Sequence, residues 1–275
     1  MAASLSVSVV TYAPDLNVVR QTLDALCASS DAALASETLE RVQLWLVDNG
    51  PGDAWVAPVT AIADALSRRG IETNVISGHG NVGYGEGHNL AIRHSHAKYH
   101  LVLNPDVVLD VDGIAEAIEF LDLHPEIGML APQARDGDGH MLYLCKRYPT
   151  VFDLALRGFA PQFIRRLFRR RLEHYEMRDV LDDNVHVRIP IVSGSFMFCR
   201  REALAAVGSF SSDFFLYFED FDLSLRVGWL YDIAYVPSVK IVHFGGYASR
   251  KGSRHIRLFA RSAITFFHIH GWKLW

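Results

Sequence analysis

Cysteine, long apolar runs and surplus positive charge are all scarce in this sequence, and each shortage removes a class of protein. Three cysteines, Cys27, Cys145 and Cys199, stand far apart among 275 residues. Odd in number and widely spaced, they fit neither a disulfide framework nor a zinc site, so a reducing compartment is the simplest setting. No run of about 18 apolar residues occurs, so no segment is expected to span a bilayer. Residues Met1 to Ser8 lack the basic start and long apolar stretch of a signal peptide, and a cytoplasmic location is the expectation. The net charge is −4 with histidines neutral, so no global basic field argues for nucleic acid as a partner. What is present is 50% hydrophobic and 21% charged, a globular profile in a chain long enough to bury a substantial core.

Short apolar runs alternate with helical patterns through the first half. Ser6 to Val10, Gln43 to Val47, Asn74 to Ile76 and His100 to Leu103 read as strands. Between and after them, Leu16 to Ala28, about Ala54 to Arg69, Gly87 to Ala97 and about Val111 to Leu123 read as helices. This βα alternation predicts an α/β fold with a doubly wound, mostly parallel sheet whose ligands bind beyond the carboxyl ends of the strands. Thr11, Asp48, Asn81 and Asp106 fall at those ends. The second half is less regular. Asp136 to Gly139 reads as a hairpin turn leading into Met141 to Cys145. Phe152 to Tyr175 has helical periodicity and carries the basic cluster Arg165 to Arg171. Ile191 to Cys199, Ile233 to Val236 and Val239 to Val242 are strand-like, Phe218 to Trp229 enters a helix, and a basic aromatic tail from Arg250 includes one more. The expectation is one domain, 1–275. It comprises a nucleotide-binding half (1–110), a smaller antiparallel and helical acceptor and catalytic half (111–246), and a basic aromatic C-terminal helix (247–275).

Four segments carry candidate chemistry. In Leu101 to Asp106 an apolar strand runs into a carboxylate, with Pro105 stopping the ladder. Asp106 is either a ligand for a hard divalent cation or a turn carboxylate accepting backbone hydrogen bonds. In Phe214 to Asp222 three acids sit among five aromatics just before a helix. Helix-dipole complementarity and an i,i+4 pair of Asp222 with Arg226 could account for some of them. Burial among aromatics would raise a carboxylate's pKa and a helix N-terminus would lower it, a balance that suits Asp220 as a base toward an alcohol. Gly78 to Gly83 matches a dinucleotide fingerprint in spacing, yet no acid closes the following strand where a ribose partner belongs. The wider string Asn81 to Asn89 suits close backbone approach to phosphate, or a plain glycine-rich turn. His243 at a strand end is structural or, with Asp106, a second cation ligand.

Taken in order, VVTY (Val9–Tyr12), VDNG (Val47–Gly50), NVGYGEGHN (Asn81–Asn89), LNPD (Leu103–Asp106), SGSFMFCRREALAAVGSF (Ser193–Phe210), FFLYFEDFDLSLR (Phe214–Arg226) and VHFGG (Val242–Gly246) resemble inverting glycosyltransferase family 2. The resemblance covers nearly the whole chain, is nearest to rhamnosyltransferase-like members, and implies a GT-A fold. It implies that Thr11, Tyr12 and Asp48 hold the nucleobase and ribose, and that Asn81, Gly83 and Asn89 line the donor loop. Asn104 and Asp106 correspond to the family's two-carboxylate metal motif, with an amide in place of one carboxylate. Asp106 and His243 would hold Mg²⁺ or Mn²⁺. Asp220 would be the catalytic base, with Gly194, Ser195 and Glu219 beside the acceptor and the transferred sugar.

The resemblance further implies transfer from a nucleotide diphosphate sugar, dTDP-L-rhamnose in the first place, onto a polysaccharide or lipid-linked glycan. A UDP-linked hexose, N-acetylhexosamine or furanose is the alternative donor. A nucleotide-binding oxidoreductase using Gly78 to Gly83 is the alternative from another class. Arg257 and Arg261 in the basic aromatic tail are the candidate contacts to phosphate or to the inner face of a membrane.

Overall fold

The computed structural model describes residues 2–245 and 253–275. Gly246, Lys251 and the first part of the 247–275 segment lie outside the described residues. The chain runs β1 (Ala3–Thr11), α1 (Leu16–Ala35), β2 (Leu39–Asp48), α2 (Val56–Ser67), β3 (Glu72–Ile76), α3 (Tyr84–His94), β4 (Tyr99–Leu103), β5 (Val107–Leu109) and α4 (Gly113–Leu123). It continues through β6 (Ile127–Arg135), β7 (Met141–Leu142), β8 (Cys145–Lys146), α5 (Val151–Phe159), α6 (Gln162–Leu167) and α7 (Arg169–Tyr175). The remainder is β9 (His186–Val187), β10 (Ile191–Val192), β11 (Phe196–Arg200), α8 (Arg201–Ala206), α9 (Glu219–Val227), β12 (Asp232–His243) and α10 (Ser253–His270).

One sheet organises the molecule, in the order β3-β2-β1-β4-β11-β6-β12-β5. The strands β3, β2, β1 and β4 are parallel, as the βα alternation predicts. The next strand, β11, comes from the second half of the chain and runs antiparallel to both β4 and β6. Beyond it, β12 is parallel to β6 and antiparallel to β5. The fold is therefore α/β with a mostly parallel sheet and an antiparallel insertion, and the two halves share one sheet. Parallel strands buried on both faces read as near-continuous apolar runs. Accordingly, Leu5, Val7, Val9, Leu44, Leu46, Leu101 and Leu103 are all 1% exposed or less.

Several elements depart from the sequence reading. The expected strand Met141 to Cys145 is two short strands, and Ile191 to Cys199 is β10 followed by β11. The run Phe152 to Tyr175 is three short helices. The expected strands Ile233 to Val236 and Val239 to Val242 are one, with an irregularity between Val236 and Lys240. Residues 127–135 carry no strand expectation because Pro132 sits in their middle, and proline cannot donate to a ladder. The strand forms because β11 pairs with β6 only at Met129 and Leu130, so the ladder on that side has ended before Pro132.

A polar chain lies inside the apolar core, where α3, β1 and β4 meet. Ser95 Oγ lies 2.6 Å from Ser6 Oγ, which lies 2.6 Å from His100 Nδ1. Ser8 Oγ then joins His100 Nε2, at 2.9 Å, to His88 Nδ1, at 2.6 Å. Both rings are fully buried. Burial pushes His100 down to about 3 and His88 well below its ordinary value, so both are neutral in the fold. Below the unfolded-state value near 6.5 the unfolded chain takes up protons that the fold refuses, and stability falls as pH drops. Between pH 7 and pH 5 this pair should lose about 2 kcal/mol per histidine. Urea denaturation midpoints measured at the two pH values check this, and an unchanged midpoint would contradict the neutral assignment.

Candidate active site

The strand ends converge on a small set of polar groups. In the parallel register Thr11 stands opposite Asp48, and Asn49 N donates to Thr11 O at 2.9 Å. Asp48 is 3% exposed, and its Oδ1 accepts from Gly50 N at 3.0 Å, which fixes the carboxylate at the strand end. Tyr12 is 51% exposed, an aromatic face free to stack. Asn81 Oδ1 accepts from Gly83 N at 3.0 Å, closing the turn that enters α3.

Gly83, with φ of 92°, is the residue before α3. Its carbonyl accepts from Asn49 Nδ2 at 2.8 Å, and the next amide, Tyr84 N, donates to Phe215 O at 3.0 Å. The glycine loop is thereby tied to the strand ends on one side and to the acidic segment on the other. Asn89 has a different surrounding from the donor loop expected of it. Its amide exchanges hydrogen bonds with both backbone groups of Phe210 (Nδ2 to O 2.8 Å, Phe210 N to Oδ1 3.0 Å) and also donates to Glu86. Asn49 was not singled out in the sequence, although its neighbour Asp48 was. Its Oδ1 is buried without a partner.

Topology brings Asp106 and His243 together. After Asn104 and Pro105 the chain enters β5, which pairs with β12 so that Val107 faces His243. Phe244 N donates to Asp106 O at 3.0 Å, and His243 Nε2 stands 3.3 Å from Asp106 Oδ1. That oxygen is buried and has no hydrogen-bond partner. An orphaned carboxylate oxygen beside an imidazole nitrogen fits a divalent cation that draws its other ligands from water and substrate phosphate. A second cluster, Asp136, Asp138 and His140, lies at the β6–β7 hairpin tip read from the sequence as a turn. There Asp136 Oδ1 accepts from the amides of Asp138 and His140, so the carboxylate shapes the turn.

The acidic segment forms the start of α9. Asp220 Oδ2 accepts from Gly194 N at 2.8 Å, and its Oδ1 accepts from Phe221 N at 3.0 Å. Burial raises its pKa against these two bonds and the nearby charge of Arg157. Glu219 is 5% exposed, and burial together with the Asp220 charge drives its pKa well up. Its Oε2 has no partner. Of the two carboxyls, Glu219 keeps its proton more readily, which leaves the charge on Asp220. The expected pair is present: Arg226 donates twice to Asp222 Oδ2 (2.6 and 2.8 Å), and His270 Nε2 lies 2.9 Å from the other oxygen. Arg226 also donates to the carbonyls of Val207 and Ser209. Asp222 is therefore an anchor of α9.

Tyr84 links these groups. Its hydroxyl lies 2.9 Å from Asn104 Oδ1 and 2.5 Å from Gly194 O. Burial raises its pKa, and the charges of Glu219, Asp220 and Asp106 push the same way, so all three acids surround one phenol. Ser195 O accepts from Asn104 N at 2.9 Å. Asn104, Asp106, Gly194, Ser195, Glu219 and Asp220 thus meet around one locus. Arg257 and Arg261 do not; they are exposed on α10.

Polar groups at the ends of a parallel sheet, an Asp106–His243 pair with an orphaned carboxylate oxygen, and the Glu219–Asp220 carboxyls at the start of α9 thus lie along one side of the sheet. The glycosyl transferase family 2 model matches residues 6–208, so the chain belongs to that family and is a glycosyltransferase. It is 26% identical over 281 residues to an N-acetylglucosaminyl-diphospho-decaprenol L-rhamnosyltransferase of Mycobacterium tuberculosis, covering 97% of this chain and 84% of that one. It is 25% identical over 184 residues to rhamnosyltransferase WbbL of Escherichia coli K12, covering 64% of this chain and 65% of that one.

Among solved structures, the mannosyltransferase PcManGT of Pyrobaculum calidifontis with GDP-Man and Mn²⁺ aligns with a TM-score of 0.61 at 15% identity, over 98% of this chain and 76% of that one. GalNAc-T7 with UDP, GalNAc and Mn²⁺ aligns with a TM-score of 0.62 at 12% identity, over 88% of this chain but only 44% of its own. These likenesses show the GT-A fold.

Gly83 yields a direct test of how the loop seats. A Cβ there would lie 2.2 Å from Phe215 O, whereas one at Gly80, also at positive φ, would meet nothing within 4 Å. Gly83→Ala should cost at least about 2 kcal/mol of stability and Gly80→Ala about 1 kcal/mol from strain alone. Urea denaturation of the two variants gives the comparison, and equal losses would contradict the contact.

Proposed function

We propose that the chain is an inverting transferase moving L-rhamnose from dTDP-L-rhamnose onto a hydroxyl of a lipid-diphosphate-linked glycan. The names of the two rhamnosyltransferase relatives support the sugar, and the mycobacterial one supports the acceptor. A UDP-sugar donor is the second reading, favoured by UDP in the aligned GalNAc-T7 structure. The observation that carries the chemistry is the buried Asp220 carboxylate, gripped by the Gly194 amide and raised in basicity by burial.

In this reading the first 110 residues serve the donor. Thr11, Tyr12 and Asp48 hold the nucleoside, Asn81 and Gly83 shape the loop around it, and Asn89 braces that loop from behind. Asp106 and His243 would hold Mg²⁺ or Mn²⁺, whose charge offsets the negative charge gathering on the departing diphosphate. Residues 111–246 serve the acceptor. Gly194 and Ser195 flank it, Glu219 stays protonated as a hydrogen-bond donor, and Asp220 takes the proton of the attacking hydroxyl. The oxygen attacks the anomeric carbon from the face opposite the nucleotide, and the configuration inverts in one displacement.

The C-terminal segment, 247–275, contributes a membrane-facing surface. Arg257, Arg261 and Ile264 share the exposed face of α10, and Phe163 and Leu167 on α6 are 72% and 79% exposed beside Arg166. A basic, partly apolar surface suits peripheral docking on anionic lipid, where the acceptor's lipid would lie. Among the described residues no helix is long and apolar enough to cross a membrane.

Asp220→Asn should keep donor binding and lose about 10²–10⁴-fold in kcat. In the wild type a raised pKa means that Asp220 is ionised above it and protonated below it. The acid limb of the kcat/KM profile should therefore lie above the ordinary aspartate range and vanish in the variant. Retained turnover within tenfold would remove Asp220 from the role. Separately, Asp106→Asn should weaken Mn²⁺ affinity, measured by titration with nucleotide present, by about 10-fold or more. Unchanged affinity would place the ion elsewhere.

A further inference from the structure

A cavity of about 790 Å³ opens between β8, α5, α7, the start of α9 and α10. Glu219 and Asp220 line it together with Lys146, Arg157 and Tyr175, while Asp48, Asp106 and His243 do not. It is therefore on the acceptor side of the proposed base. Arg157 is near enough to Asp220 to oppose the effect of burial on that carboxyl, and the Tyr175 phenol feels the charges of both.

Three groups in this lining have more donor capacity than the protein uses. Tyr175 is 2% exposed, and its hydroxyl is buried with no hydrogen-bond partner. Lys146 is 6% exposed, donates to the carbonyl of Tyr143, and forms no ion pair among the described residues. Arg157 reaches Glu176 at only 3.8 Å, and Glu176 is held more closely by Arg178, at 2.5 Å. Arg165 is already committed: it donates to the carbonyls of Leu156 and Arg157, holding the end of α5 and with it Arg157. Leaving a buried hydroxyl and ammonium short of acceptors costs free energy that a ligand rich in acceptor oxygens would recover. Lysine, arginine and a phenol are all donors, and the first two are cationic when protonated, which selects an anion with several oxygens, a phosphate.

We propose that Lys146, Arg157 and Tyr175 form a phosphate subsite for the acceptor, holding the phosphate of a glycosyl diphosphate ester while a hydroxyl of its sugar reaches Asp220. The assignment rests on the reading of Asp220 as the base, which fixes the acceptor side. Burial and the neighbouring Arg157 bring Lys146 down to about 7, and a phosphate beside it restores the charged form.

Two measurements on the full chain test this. Calorimetric binding of hexyl diphosphate, with dTDP and Mn²⁺ saturating so that the donor site is filled, should weaken tenfold or more in Lys146→Met and in Tyr175→Phe. The second variant is nearly isosteric, and an unchanged thermal midpoint shows that it folds. Asp220→Asn should not weaken this binding, so the subsite can be judged even where that variant retains turnover and the base assignment fails. In kinetics, the ratio of kcat/KM for an alkyl N-acetylglucosaminyl diphosphate to that for the phosphate-free alkyl glycoside should fall tenfold in the same two variants. Unchanged hexyl diphosphate binding, or equal losses on the two acceptors, overturns the subsite. Inorganic phosphate binding as tightly as hexyl diphosphate overturns the acceptor assignment and makes the cavity a site for the free ion.

Discussion

The hydrogen bond from the Gly194 amide to the Asp220 carboxylate is the point through which the rest of the site is assembled. Gly194 gives its N–H to the acid and its C=O to the Tyr84 hydroxyl, which also reaches Asn104. One glycine and one phenol thus join the end of β4, the entry to β11 and the start of α9. A side chain at position 194 would be crowded: a Cβ would lie 3.2 Å from the Tyr84 ring and 3.3 Å from Asp220 Cβ. The amide also bears on the electrostatics. Two backbone donors hold the Asp220 carboxyl down against burial, whereas burial and the Asp220 charge drive Glu219 well up.

Holding that carboxylate in place requires backbone strain. Tyr217 and Phe218, immediately before α9, have φ of 71° and 67°, and neither is glycine. Consecutive left-handed residues with bulky side chains persist only where the surroundings over-determine them. Helix α10 supplies much of that constraint. Ser262 Oγ donates to Leu216 O at 2.8 Å, Phe259 packs against both strained aromatic rings, and His270 closes on Asp222. The C-terminal helix therefore braces the segment that carries Glu219 and Asp220 as well as presenting a surface. The family match, which ends at residue 208, lies wholly upstream of Asp220, His243 and this helix.

Much of this was legible in the sequence because the donor side is local. β1 to β4 and α1 to α4 are ordinary βα units, and polar residues at their strand ends announce themselves against apolar runs. Asp220 and His243 stood out for the same reason, as polar residues following apolar ones. What was not legible depends on pairing across the chain. β6 was hidden by Pro132, tolerated only because β11 stops short of it. His88 and His100 looked like any histidines until the fold joined them through Ser6 and Ser8. Asn89 lies in a donor-loop motif, yet its amide reaches Phe210, 121 positions away. Lys146, Arg157 and Tyr175 share no motif at all, and only the fold that sets β8, α5 and α7 around one cavity gathers them.

The amide at position 104, where the family's metal motif carries a carboxylate, has a reason in this geometry. Its Oδ1 lies 2.9 Å from the Tyr84 hydroxyl, so it serves the linkage between β4 and Gly194. An aspartate there would add a fourth carboxyl group around a phenol that already faces Asp106, Glu219 and Asp220. Like charges in a buried site raise one another's pKa, and the extra acid would push the Asp220 carboxyl further up. Asn104 keeps the hydrogen bond and omits the charge. Asp106 and His243 remain the pair that would suit a cation, and with so few protein ligands such a site would draw its other ligands from water and substrate phosphate.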